Sequence, residues 1–482
     1  MFTATYYVSV LAATLGASTQ FYSYGIVNQE KAVLTQWINA TYSARGILLT
    51  DTQMSFLWSF IVSSVAIGAI PGALSTRFLS ERYGRRNTLV GNGVVNVIAA
   101  SMEFAAKYVH SPELLLLGRI ILGANIGLTS GVVPIYLIEI TPSVYRNRVG
   151  TLHQVAVAFS EVFSLLLGME EVQIIASGTE RYWPFAFGFP GLLALILVLL
   201  LPLCPESPKY LLITRGQKRE ASDALLRLVD KPTASGMFSA LLEEQVASHE
   251  RVGSYRELFT RRDLRRPLAI CLTLMFAQQF SGCSAVFAYS TDMFLNANLS
   301  GQHARFATLL VALCYFGAAV LAPFVIDRVG NRRLTAFQLT GVSVSMAALS
   351  VFTWRQLRST EHSHFDFYGT IASVVAYMFV YGVGAPVSWI SVGIYFDTKM
   401  RPAAATVCVF VAFSLSFVVT TLFLPWQKLV GVEYSYTPFI VASSFFALLL
   451  GCTLPEAPST AAEKAVARRN RNDSYISNVS VL

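Results

Sequence analysis

The chain has 482 residues, 54% of them hydrophobic and only 13% charged, with a mean hydropathy of +0.53. A water-soluble domain carries about a quarter charged residues, so this composition excludes one and points to an integral membrane protein. The formal net charge of +8 would suit nucleic acid, but its placement along the chain makes it a topology signal, and no nucleic-acid partner is expected.

A bilayer core holds no water to satisfy a non-helical backbone, and about 20 apolar helical residues cross it. Twelve such spans are predicted. The first, 6–27, starts with "MFTATYYVSVLAATLG". With no basic leader and no small-residue cleavage site, it reads as a retained span rather than a removed signal. The long exterior loop after it carries "NAT" at Asn39–Thr41, an acceptor for N-glycosylation. Spans 54–79 and 88–107 flank "ERYGRR" at 81–86, the span 113–139 ends on Glu139, and Arg146 opens the span 149–169. The sixth, 183–203, closes on "LCPESPKYL" with Glu206. Residues 204–266 form the one long polar insertion, with amphipathic pieces "EASDALLRLV" and "MFSALLEEQV". Six more spans follow at 268–295, 306–326, 334–353, 368–396, 402–424 and 437–454, and then a tail.

Features of the first six spans recur in the second six. "ERYGRR" returns as "DRVGNRR" at 327–333, placing Gly84 and Gly330 246 residues apart, each after the second span of its half. Glu206 recurs as Glu456 and Arg146 as Arg401. Two parallel six-span repeats related by an axis along the membrane normal are the mark of major facilitator transporters. The expected fold is therefore all-α, twelve transmembrane helices in two six-helix bundles. Its expected divisions are 1–203, the cytoplasmic linker 204–266, 267–455, and a cytoplasmic tail 456–482.

Placing both termini inside puts Arg82, Arg85, Arg86, Arg146, Arg148, Arg328, Arg332, Arg333, Lys399 and Arg401 in short cytoplasmic loops, and the other side is poorer in lysine and arginine. This is the positive-inside pattern. Arg85, Glu139, Arg146 and Glu206 in the first half, with Asp327, Arg332 and Arg401 in the second, all fall at cytoplasmic span ends. They are expected to form carboxylate–guanidinium pairs that latch the bundles together and break as the halves rock. The six cysteines lie in spans or at their ends with no CxxC spacing, so neither a disulfide framework nor a metal site is expected, and no cofactor.

"GRIILGANIGLTSGVVPIYLIEITPSVYRNRVGTLHQ" (118–154), "PESPKYLL" (205–212), "QQFSGCSAVFAYSTDMF" (278–294), "DRVGNRR" and "WISVGIYFDTKMRPAA" (389–404) resemble sugar porters of the major facilitator superfamily. They are most similar to the animal facilitative glucose transporters. The resemblance implies a hexose bound at the midplane by amides and an indole. It assigns substrate contact to Gln154, to the pair Gln278 and Gln279, and to Trp389; an amide offers donors and acceptors without the cost of burying a charge. The chain departs from the family at Ser284, Tyr315 and Ala412–Phe413, where asparagine or asparagine–tryptophan is usual. "VYGVGAPVSW" (380–389) lacks the usual glutamate, and Ile394 stands where a latch glutamate belongs, with Asp397 one turn away.

Glu161 lies two helical turns beyond Gln154 on the same face, so it is expected to point into the cavity, and a carboxylate within a span is a functional candidate. Proton coupling and selection of a cationic or more polar solute are both open for it, as is a plain helix–helix contact. "STQFYSYGIVN" (18–28) has no acid of the kind proton-coupled porters carry in their first span. The resulting expectation is a plasma-membrane uniporter for a hexose such as glucose or fructose. Its rivals are the same carrier with a polyol, urate or cationic metabolite as substrate, and a non-transporting nutrient sensor; no enzyme constellation is present. The final Ser480, Val481 and Leu482 fit the pattern that adds as a strand to PDZ domains.

Overall fold

A computed structural model of the chain describes residues 2–17, 22–142, 145–150, 152–169, 172, 183–247, 255–297, 299–358, 364–396 and 400–455. The first half consists of α1 (Ala4–Ala17), α2 (Tyr22–Ala44), α3 (Asp51–Tyr83), α4 (Arg85–Ala105), α5 (Pro112–Glu139), the short α6 (Arg146–Gly150), α7 (Leu152–Gly168) and α8 (Trp183–Leu200). Between the halves lie α9 (Lys218–Leu228), α10 (Lys231–Ala247) and α11 (Tyr255–Thr260). The second half holds α12 (Arg262–Phe280), α13 (Cys283–Asn296), α14 (Gly301–Val329), α15 (Asn331–Arg358), α16 (His364–Gly384), α17 (Pro386–Tyr395), α18 (Arg401–Val430) and α19 (Thr437–Thr453). This is the expected twelve-span architecture in two bundles, with several spans broken into two helices.

Helix ends follow local chemistry. Thr50 and Gln53 close a reciprocal capping box at the start of α3, and Ser111 caps α5 ahead of Pro112. Gly84 (φ 94°) and Gly330 (φ 86°) each end one helix and start the next, so the repeated turn has one backbone geometry in both halves. At such φ a Cβ is strained, which accounts for glycine at both places. α3 and α5 approach closely enough that a Cβ on Gly68 would lie 1.9 Å from the Ile120 carbonyl oxygen, and one on Gly127 2.0 Å from that of Ala69. Small residues allow that approach where lipid supplies no hydrophobic drive.

The first span differs from the prediction. The chain is helical out to Ala44, so the expected exterior loop containing Asn39 is the end of α2, with Asn39 exposed on it. Polar residues hid this helix: Asn28, Gln29 and Glu30 are buried, and Asn28 is satisfied by α13, donating to the Phe287 carbonyl (3.1 Å) and Ser290 Oγ (2.7 Å). A hydropathy window ends where such residues begin, whereas cross-helix bonding lets them continue a buried helix.

The contacts joining the halves run from the end opposite the glycine turns to mid-depth. Lys31 on α2 pairs with Asp292 on α13 at 2.7 Å. Lys428 on α18 bonds Ser55 of α3, and Thr421 donates to Ser63 at 2.8 Å. Deeper still, Phe413 of α18 joins Val65, Ala69, Leu122 and Ile126 of α3 and α5 in one apolar cluster.

Candidate functional site

The seventh span breaks at Gly282, which adopts a left-handed conformation (φ 87°, ψ 11°) between α12 and α13. The break places Gln278 and Gln279 in the last turn of α12 and Ser284 in the first turn of α13. Ser281 heals the free end by donating to the Gln278 carbonyl (2.5 Å), and the Tyr377 hydroxyl donates to the Ser281 carbonyl (3.1 Å). Inside a membrane protein such non-helical backbone is tolerated only where neighbours satisfy it or where it lines a cavity.

Three amides converge around this break. Gln278 Nε2 donates to the Tyr381 hydroxyl of α16 at 3.0 Å, while its Oε1, equally buried, has no partner. Gln279 Oε1 accepts from Ser284 Oγ (2.9 Å), which also meets Ser416 Oγ of α18 (2.8 Å). Gln154, on α7 of the other half, donates to the Tyr315 hydroxyl of α14 at 2.9 Å. The rings of Tyr315 and Tyr381 lie 6.2 Å apart, and Phe287 sits edge-on to both, at 5.0 and 6.0 Å. Buried and half-buried amides beside an aromatic wall suit a polyhydroxylated ring, with hydroxyls for the amides and C–H faces for the aromatics.

Two other expected site residues sit elsewhere. Trp389 of α17 packs against the apolar cluster of α12 and α18 that includes Met275, Phe396 and Cys408. Glu161 is 2% exposed, so it does not open onto a cavity. Instead its carboxyl faces Gly25 of α2, where an added Cβ would lie 3.2 Å from it, and its Oε2 has no partner. One helical face served two directions, because α7 packs on α2 as well as on the second half.

Sequence reasoning missed Tyr381, and also two buried ionisable residues in the first half. Arg119 of α5 is fully buried and donates to the carbonyls of Ile61 (2.8 Å) and Ser23 (3.1 Å), leaving Nη1 unpartnered. Glu103 of α4, 1% exposed, has an unpartnered Oε1. Both stood in plain sight as charges within predicted spans.

At the glycine-turn end, Arg85 engages Glu139 with Nε (2.9 Å) and Nη2 (3.0 Å), and its guanidinium lies over the Tyr210 ring. Ser207 donates to the other side of Glu139 (2.5 Å). Glu206 accepts the backbone N–H groups of Arg85, Arg86 and Ser207 at 2.9, 2.9 and 2.8 Å, capping the positive end of α4. These contacts all lie within residues 1–212 and brace the first half in this arrangement. Two arginines also depart from the carboxylate pairing: Arg146 donates to the Thr141 carbonyl (3.1 Å) and Arg332 to the Gly451 carbonyl (2.6 Å). A helix's free terminal carbonyls compete well for a guanidinium. The side chains of Asp327 and Arg401, together with Asp397, Glu456 and the segment ending in Ser480, Val481 and Leu482, lie outside the described residues. A cavity of about 470 Å³ at this end, lined by Arg86, Glu206, Tyr210, Arg215, Asp223 and Arg227, is separate from the amide cluster.

Residues 8–465 match the family described as "Sugar (and other) transporter". The chain is 31% identical over 453 residues to "Facilitated glucose transporter protein 1" of Caenorhabditis elegans, covering 92% of this chain and 86% of that one. It is 30% identical over 452 residues to the rat "Solute carrier family 2, facilitated glucose transporter member 3", covering 93% and 89%. In fold it is similar to the proton:xylose symporter XylE bound to 6-bromo-6-deoxy-D-glucose, with a TM-score of 0.76 at 21% identity over 93% and 96% of the two chains. A partially occluded inward-open XylE from E. coli gives 0.74 at 20% identity over 94% and 100%.

Proposed function

Because the chain belongs to the sugar (and other) transporter family, we propose that it moves a hexose across the plasma membrane by facilitated uniport with alternating access. The observation that carries this reading is the convergence of Gln154, Gln278 and Gln279 from both halves on one aromatic-walled spot beside the Gly282 break. Binding at the seam of two bundles is what rocking carriers need, since the same amides then face either side in turn. The glycine-turn end is read as cytoplasmic by its arginines. With the halves joined at the opposite end, the structure corresponds to the inward-facing state.

Proton-coupled transport is the second reading, favoured by Glu161 and Glu103, buried carboxyls that each have an unpartnered oxygen. Uptake of labelled glucose, fructose, a polyol and urate by purified protein in liposomes, with and without a pH gradient, separates the two. Saturable hexose uptake that ignores the gradient and weakens in Gln278→Ala is the expected result. Absence of hexose flux under any gradient would sink the sugar reading, and gradient-driven accumulation would replace uniport by symport. Orientation has its own check. Asn39, exposed at the end of α2, is expected to carry a glycan that glycosidase removes and Asn39→Gln abolishes. An unglycosylated Asn39, with the tail reachable by antibody from outside intact cells, would invert the topology.

A further inference from the structure

The amides proposed to read the sugar already have partners within the protein. Gln154 Nε2 and Gln278 Nε2 each donate to a phenol, Tyr315 and Tyr381, at 2.9 and 3.0 Å. Both phenols are buried, at 1% and 3% exposure, and both belong to the second half. A phenol and a sugar alcohol offer an amide the same group, one O–H donor with acceptor lone pairs. The two rings lie 6.2 Å apart, with Phe287 packed against both.

We propose that Tyr315 and Tyr381 are built-in competitors for the substrate's hydroxyls and thereby set the carrier's specificity. This rests on the hexose reading of the same site. A substrate enters by displacing both phenols, so it must present two hydroxyls at the spacing of the two amides. A third, donated to the buried and unpartnered Gln278 Oε1, gives it an advantage the phenols lack. A pyranose meets these demands and offers an apolar face to the displaced rings. A solute with a single hydroxyl does not, since it exchanges one satisfied amide for another and gains nothing.

Affinity for sugar is accordingly lower than the amides alone would give, because every binding event first breaks two satisfied bonds. Removing a phenolic oxygen while keeping the ring removes the competitor. The Gln154–Tyr315 bond also joins the two halves, so its displacement by substrate loosens the seam at the depth where the bundles must part.

The test is hexose uptake by Tyr315→Phe, Tyr381→Phe and the double variant in liposomes, with sugar-dependent thermal stabilisation measured in parallel. Each single change is expected to lower the hexose KM roughly 3- to 10-fold with maximal rate within about twofold. The same loss at Tyr136, whose hydroxyl serves the Pro205 carbonyl at the glycine-turn end, is the control and leaves KM within about twofold. The two single variants question two different amides, so failure of one to fold leaves the other to answer. Unchanged or raised KM in the Phe variants, with the wild type transporting, overturns the proposal and spares the hexose reading. If the wild type neither binds nor moves hexose but the double variant gains hexose-dependent stabilisation, the phenols are competitors and the hexose reading is wrong for the native chain. No gain in either measurement overturns both.

Discussion

Arg85 donates from Nη2 to Glu139 Oε1 at 3.0 Å and sets Nε 2.9 Å from the other carboxylate oxygen, in a spot where the glutamate side chain is only 9% exposed. In the repeat counterpart region Arg332 donates to the Gly451 carbonyl. Removing Arg85 therefore strands a buried carboxylate with Ser207 as its remaining partner, at a cost of about 2–3 kcal/mol, whereas removing Arg332 forfeits one bond to a neutral carbonyl, about 1 kcal/mol. Arg85→Ala is expected to lower both melting temperature and hexose uptake more than Arg332→Ala, measured side by side on purified protein. Arg85→Lys should recover only part of the loss, because an ammonium cannot both reach Glu139 and keep a planar guanidinium over the Tyr210 ring. Equal losses in the two alanine variants would mean that the second half is braced as firmly as the first.

The ion pair between Lys31 and Asp292 joins the halves at the opposite end, with side-chain exposures of 32% and 14%. Partial exposure limits its contribution to about 1 kcal/mol, roughly a fivefold bias in the opening equilibrium. Asp292→Asn should shift the carrier toward the state open at that end. Spin labels at Asn39 and Leu429, both exposed there on opposite halves, would report a longer-distance population in the variant. High salt should shrink the difference between variant and wild type. Identical distance distributions at low salt would show that the pair does not hold the gate.

What the sequence revealed and concealed follows from what each signal measures. The doubled Gly turn was legible because a positive φ demands glycine and the flanking arginines mark the membrane face, so Gly84 and Gly330 appear with one geometry. The Gln278–Gln279 break was legible for the same reason, from the glycine that follows it. The true extent of α2 was not, because Asn28, Gln29 and Glu30 look like loop, although all three are buried and Asn28 is bonded to α13. The acceptors of Arg146 and Arg332 in this arrangement were not legible, because a carbonyl acceptor leaves no trace in side-chain identity. Tyr381 escaped notice for a related reason. A tyrosine in an apolar run reads as core, and only the 3.0 Å bond to Gln278 gives it a role.

Glu161 tests the coupling question from the other side. Among the described residues no ion pair engages it, and its Oε2 has no hydrogen-bond partner. As an anion it would be costly in that setting; glutamine keeps its shape without charge. Under uniport, Glu161→Gln is expected to retain hexose uptake within about threefold and to melt no lower than the wild type. Neither protein should concentrate sugar against a gradient when protons are supplied from outside. Wild-type accumulation that the glutamine variant loses would assign the proton to this residue.

The two glycine turns provide the sharpest comparison, because they share backbone geometry and differ in surroundings. Alanine at either position meets the same strain at φ near +90°, roughly 1–2 kcal/mol. At Gly330 nothing lies within 4 Å of the added Cβ, so strain is the whole cost. At Gly84 the Cβ would sit 2.3 Å from Glu206 Oε2. That oxygen cannot stay, and with it moves the carboxylate that accepts the N–H groups of Arg85, Arg86 and Ser207. Losing a charged cap at the start of α4 adds about 1–3 kcal/mol. Gly84→Ala is therefore expected to lower the melting temperature clearly more than Gly330→Ala. Combining Gly84→Ala with Glu206→Ala should cost less than the two single changes added together, because both remove the same cap. Strict additivity in that cycle would mean that Glu206 finds its donors by another route, and the turn's asymmetry would then have to come from the segment after it.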